Sequence, residues 1–122
     1  MKIKAETGII LARGSTDDQE IQPQIFSCKK YAEQSGIKIA DIIGIEGESA
    51  FKGSRKEFNK VYEKIQQYNE PIALIFDSGD RFTRQVNEQK KATELRKTGR
   101  LELHCANEEL KPLHQFSTYL EE

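Results

Sequence analysis

The sequence predicts a three-layer α/β domain, with a mostly parallel sheet of about four strands and helices on both faces. Three observations predict it. Apolar, β-branched runs alternate with helix-period stretches along all 122 residues, the pattern of successive βαβ units. The run Ile72-Ala73-Leu74-Ile75-Phe76 has no polar position, as expected of a strand buried on both faces in a parallel sheet. Polar stretches follow each of the first three runs, where strand-to-helix connections of such a sheet open onto a crevice.

Residues 7–12 form the first predicted strand, built on Gly8-Ile9-Ile10-Leu11-Ala12. Arg13-Gly14-Ser15-Thr16-Asp17-Asp18-Gln19 is the turn that leaves it. A helix is expected from residue 21 to about residue 35, with Ile25, Cys28, Tyr31 and Ala32 on one face. Pro23 fits its first turn, where a missing N–H costs little, and Gly36 ends it. Residues 37–45 read as the second strand, and residues 46–54 as a polar connection in which Gly53 or Ser54 caps the next helix. Residues 55–68 are the best amphipathic helix, with Phe58, Val61, Tyr62, Ile65 and Tyr68 at helical spacing. These aromatics belong to a core and not to a cofactor site. Asn69-Glu70-Pro71 turns the chain into the third strand, residues 72–76. A weakly amphipathic helix is expected from about residue 84 to residue 97, stopped by Gly99. Residues 101–104 alternate and suit a fourth strand at an edge. From Glu108 the chain reads as helical again, with Pro112 in an early turn, and it reaches Glu122 in mid-pattern.

Composition bounds the function. The chain is 36% hydrophobic and 32% charged, and its length suits one domain. No apolar run approaches the roughly 20 residues that span a bilayer. Met1-Lys2-Ile3-Lys4 leads into no signal-peptide core, so a cytoplasmic protein without membrane contact is expected. Cys28 and Cys105 lack metal-ligand spacing and read as free, buried thiols. His104 and His114 are given no catalytic or ligand role. Nineteen basic against 20 acidic residues leave a formal charge of −1. Dedicated DNA-binding domains are usually clearly basic, so any DNA affinity must come from a local patch or from another part of a larger protein.

Pooled, the three polar stretches hold a distinctive set. The first brings Arg13, Ser15 and Gln19, the second Ser49, Lys52 and Arg55, the third Asp80, Arg81 and Arg84. None contains a histidine, which argues against a Ser-His-Asp hydrolase. There is no Gly-x4-Gly-Lys-Ser/Thr loop and no carboxylate cluster suited to Mg²⁺. A serine among arginines can attack phosphorus: guanidinium groups bind non-bridging phosphate oxygens two at a time and stabilise the charge of an in-line displacement. Simpler readings stand beside this one. Ser15, Thr16 or Asp17 alone suits a helix N-cap. Asp80 and Arg81 suit a surface ion pair worth little. Lys52 and Lys56 suit solvated surface. Arg55 at a helix start is poorly placed against the helix dipole, which favours a functional role for it.

Taken together, these residues resemble the catalytic domain of serine recombinases, the resolvase/invertase family. The family's Arg-x-Ser follows strand one as Arg13-Gly14-Ser15. Its Ser-x5-Arg follows strand two as Ser49 through Arg55, and its Asp-Arg-x-x-Arg follows strand three as Asp80-Arg81-Phe82-Thr83-Arg84. Gln19 and Gln24 also fall where the family carries glutamines. The resemblance covers about residues 8–120. Four positions depart from the usual pattern: Leu11 for Tyr, Gly14 for Val, Ala50 for Gly and Gly79 for Leu. None removes a hydroxyl, guanidinium or carboxylate.

The resemblance implies site-specific DNA recombination. Ser15 would attack a DNA phosphodiester and become joined to the 5′ phosphate. Arg13, Arg55, Arg81 and Arg84 would hold the phosphate. Asp80 would orient an arginine or move a proton to the leaving 3′ oxygen, and Gln19 and Ser49 would support the phosphate or the loops. No metal and no cofactor is expected. The implied partners are DNA and further subunits, a homodimer assembling to a tetramer on DNA. Residues 1–122 would be the catalytic domain, with the dimerisation helix truncated and the DNA-binding domain absent, so that the isolated domain is inactive. Two rivals fit the residues less well: a recombinase-like interaction module that no longer cuts, and a flavodoxin-like phosphate-handling enzyme.

Overall fold

The computed structural model describes residues 5–14, 18–46, 55–77, 86 and 89–107. In chain order these form β1 (Thr7–Gly14), α1 (Asp18–Ser35), β2 (Lys38–Glu46), α2 (Arg55–Gln66), β3 (Ile72–Phe76), α3 (Lys90–Lys97) and β4 (Leu101–Cys105). The strands make one sheet in the order β2-β1-β3-β4, with every neighbouring pair parallel. The expected fold class is therefore the observed one, with β4 at an edge. The expected caps at residues 15–17 and 53–54, the helix start near residue 84 and the helix after Glu108 lie outside the described residues.

Strand alternation builds two cores. Ile9 and Leu11 of β1 and Ile72, Leu74 and Phe76 of β3 meet Phe58, Val61, Tyr62 and Ile65 of α2 and Ala92 and Leu95 of α3. On the opposite face Ile10, Ala73 and Ile75 meet Cys28 and Ala32 of α1. β2 solves a phase problem. Ile37 just before it and Ile39, Ile43 and Ile45 within it are all odd-numbered, yet the first two join the α1 core and the last two the α2 core. The register explains it: Gly8 pairs with Ile39 but Ile9 with Asp41, an irregularity that leaves Ala40 over. One extra residue flips every later side chain to the other face. Asp41 consequently faces α2, where its carboxylate pairs with Lys64. That hydrogen bond holds the Asp41 carboxyl below the usual carboxylate range.

Gly8 is fixed by crowding. A Cβ there would come within 2.7 Å of the Ile37 side chain and 3.2 Å of the Ala73 carbonyl oxygen. Gly8→Ala is expected to destabilise the domain by about 1–3 kcal/mol, the usual range for overpacking. A urea titration should show a lower midpoint with an unchanged slope; an unchanged midpoint would mean that the Ile37 and Ile75 side chains can move aside freely.

The turns back into the sheet use one device twice. After α1, Gly36 takes φ 73° while the Ile37 N–H donates to the Ala32 carbonyl. After α3, Gly99 takes φ 77° while the Arg100 N–H donates to the Leu95 carbonyl. Both are left-handed helix caps that favour glycine. Arg100 also donates through Nη2 to the carbonyls of Gln66 and Tyr68, capping the end of α2.

Three expectations shift. β1 runs to Gly14, so Arg13 is a strand residue and not part of the turn. α1 starts at Asp18, which puts Pro23 in its second turn, where it removes one intrahelical N–H. Cys28 is fully buried, which pushes its thiol up to about 12, whereas Cys105 is only half-buried on the edge strand. His104 is structural, with Nδ1 2.7 Å from the Tyr31 hydroxyl and Nε2 3.0 Å from Glu102.

Candidate active site

Because β1, β2 and β3 are parallel, all three release the chain at the same end of the sheet. They do not release it at the same height. β1 pairs with β3 only from Thr7 to Ile10, but with β2 as far as Gly14 opposite Glu46. Residues 11–14 thus run about 13 Å past the last β1–β3 pair, at 3.3 Å per residue. Over that length β1 pairs with β2 on one side and, among the described residues, with no strand on the other.

Gln24, one turn and a half into α1, fills part of the gap. Its Oε1 accepts the Arg13 N–H at 3.1 Å, and its Nε2 donates to the Arg13 carbonyl. One side-chain amide thereby does for Arg13 what a neighbouring strand would do, satisfying donor and acceptor together. The end of β1 is held immediately before Ser15 in the chain.

Arg13 itself is half-buried and stands opposite Ile45. It continues the Ile9–Leu11 alternation, which places it on the α2 side of the sheet. Arg55 is the first residue of α2. The last turn of α2 is tied by Arg100 to the start of β4, at the amino end of the sheet. Twelve helical residues rise about 18 Å, so α2 begins toward the carboxyl end. The structure brings the end of β1, with Arg13, and the start of α2, with Arg55, to the same end of the domain. Gln19 lies in the first turn of α1. Ser15, Ser49, Asp80, Arg81 and Arg84 lie outside the described residues.

A family model for the resolvase N-terminal domain matches residues 8–121. The chain belongs to the resolvase N-terminal domain family. Among solved structures, the fold is similar to the N-terminal catalytic domain of TP901-1 integrase, at 19% identity and a TM-score of 0.64, covering 94% of this chain and 91% of that one. It is also similar to the C-terminal catalytic domain of ISC1926 TnpA, an IS607-like serine recombinase, at 21% identity and a TM-score of 0.61, covering 93% and 76%. No curated protein sequence matches the chain. Membership makes this a resolvase-type catalytic domain, and ties it to site-specific recombination of DNA. Among the described residues of this resolvase domain, no helix is long and apolar enough to cross a membrane.

Sequence reasoning noted Gln24 beside Gln19 but gave it no role. Its signal is positional: a half-buried amide on the helix that packs against β1. Periodicity marks only apolar positions, and so passes over an amide that bonds to backbone.

Proposed function

We propose that this resolvase domain cuts and rejoins DNA with Ser15 as nucleophile. The Ser15 oxygen attacks phosphorus and loses its proton; the P–O3′ bond breaks, and the 3′ oxygen leaves and takes up a proton. The enzyme is then joined to the 5′ phosphate, and the reverse attack by a 3′ hydroxyl rejoins the strand. The ester keeps the phosphodiester linkage in store, so no ATP is consumed. Arg13, Arg55, Arg81 and Arg84 hold the non-bridging oxygens and stabilise the developing charge. Asp80 orients an arginine or supplies the leaving oxygen's proton, and Gln19 and Ser49 support the phosphate or the loops.

The observation that carries this reading is Arg13, held by both of its backbone groups at the carboxyl end of a parallel sheet, two residues before a serine in a chain of this family. In the proposed arrangement, residues 1–122 are the catalytic domain of a larger recombinase. Dimerisation and sequence-specific DNA binding depend on parts outside these residues, and dimers pair into tetramers on DNA.

The test uses a protein carrying this domain together with those parts, incubated with its recombination site in EDTA and denatured with detergent. Protein attached to DNA 5′ ends is expected. Attachment to 3′ ends, or cleavage that requires added Mg²⁺, would overturn the assignment. Arg81→Ala is expected to slow adduct formation about a hundredfold to a thousandfold, as losing one transition-state donor does elsewhere. A wild-type rate in that variant would remove Arg81 from the site.

Residues 1–122 alone are expected to bind DNA weakly. Affinity follows the number of phosphates neutralised, and the formal charge is −1. A tight, sequence-specific complex in a gel-shift titration at physiological salt would show that the chain needs no further DNA-binding part.

A further inference from the structure

Tyr62 stands in the middle of α2 with its ring in the core, 1% exposed. Its hydroxyl donates to the backbone carbonyl of Val86 at 3.1 Å, and that contact is buried. Val86 is itself fully buried, in the same core as Leu11, Phe58 and Phe76. The same carbonyl accepts the Gln89 N–H at 3.2 Å. Gln89 is the N-cap residue of α3, and its own carbonyl accepts from Thr93 N–H at 3.1 Å. One carbonyl thus joins α2, through a side chain, to the turn that starts α3.

The position of that carbonyl in the chain matters. Val86 lies two residues after Arg84 and five after Arg81. Two residues of chain reach at most about 7 Å, and five about 18 Å. Whatever fixes Val86 therefore limits where Arg84, and less tightly Arg81, can stand. Packing alone locates the Val86 side chain, but the hydrogen bond also fixes the peptide plane on the carbonyl side of Val86, and the chain back to Arg84 leaves from the other side of the same Cα. Tyr62 and Arg55 share one rigid helix, seven residues apart, or about 10 Å along its axis. The arginine at the start of α2 and the Val86 carbonyl are thereby referred to the same element.

We propose that Tyr62 is a positioning residue for the arginine segment that follows β3, acting through the Val86 carbonyl. This rests on the reading of Arg81 and Arg84 as phosphate-holding groups. Burial raises the phenol pKa above its ordinary value, so the hydroxyl stays a donor throughout the physiological range. A tyrosine serving only to fill the core would need its ring and not its oxygen.

Tyr62→Phe separates the two roles, because it keeps the ring and removes the donor. Hydrogen–deuterium exchange on the 122-residue chain is expected to speed up about five- to tenfold in peptides covering residues 78–89, the loss of one ordinary hydrogen bond. Peptides from β1 and α1 should be unchanged. In the DNA-cleaving protein, Tyr62→Phe should bind DNA within about twofold of wild type yet form the adduct about ten- to a hundredfold more slowly at saturating enzyme, the scale set by small misplacement of catalytic groups. A 4-aminophenylalanine at position 62, which restores a donor at the ring's para position, should recover most of that rate. The exchange arm needs no DNA, so it decides the inference even where wild type yields no adduct and the functional reading itself has failed. Unchanged exchange over residues 78–89, or a wild-type cleavage rate in Tyr62→Phe where the wild-type adduct forms, would overturn it.

Discussion

Ser15→Ala is expected to abolish strand cleavage while leaving the domain folded. The reaction proposed here forms an ester to a side-chain oxygen, and alanine has none. The effect is therefore a loss of the covalent species and not a reduced rate. The fold should survive because the cores are built elsewhere, from Ile9, Ile10 and Leu11 of β1 inward. The N-cap role that the sequence allows Ser15 sets the stability cost, on the order of 0.5–2 kcal/mol. The measurement pairs a thermal melt with the detergent-quenched adduct assay, using DNA labelled at each end in turn. A variant that melts within a few degrees of wild type and gives no adduct supports the assignment. A Ser15→Ala protein that still traps DNA ends would move the nucleophile to another residue.

Much of this is legible in the sequence, for physical reasons. A strand buried on both faces cannot hide its composition, so β3 was plain from Ile72-Ala73-Leu74-Ile75-Phe76. α2 was plain because its aromatic stripe must face one core, although it ends at Gln66 and not at Tyr68. The polar stretches could be assigned to one end of the sheet because parallel strands leave no other choice. What escaped was set by tertiary contact. The end of β1 was placed at Ala12, because Arg13 and Gly14 look like turn residues; pairing with Ile45 and Glu46 keeps them extended. The helix-period pattern begins only at Ile21 and puts Pro23 in a first turn, but α1 starts at Asp18 and absorbs the lost N–H in its second. The irregularity at Ala40 leaves no mark in the sequence, because Ile37, Ile39, Ile43 and Ile45 keep an even spacing across it. Of the proposed site, the motif residues were legible as chemistry, while the supports, Gln24 and Tyr62, were not. Both act through backbone carbonyls distant in sequence, and no local pattern marks such a bond.

Gln24→Met should therefore loosen the end of β1 without disturbing either core. Methionine matches glutamine in length and helix propensity, so the substitution removes the amide and little else. Two backbone groups of Arg13 lose their partner at once. Each buried orphan costs about 1–3 kcal/mol, and the half-buried setting of Arg13 lets water recover part of that. A net destabilisation of about 1–3 kcal/mol is expected in a urea titration. Adduct formation should fall further than stability does, by about a hundredfold, because Ser15 follows directly on the freed segment and small misplacement of a nucleophile is costly. Gln24→Glu refines the test. At pH 7 its carboxylate still accepts the Arg13 N–H but faces the Arg13 carbonyl with a lone pair, so it should be as unstable as Gln24→Met or more so. Protonation returns a donor to that carbonyl. The deficit relative to wild type should then shrink as the pH falls toward the carboxyl's own range, about 4 to 5, whereas the Gln24→Met deficit should not move. Equal and pH-independent deficits in the two variants would show that the amide matters for its volume and not for the pair of hydrogen bonds it makes to Arg13.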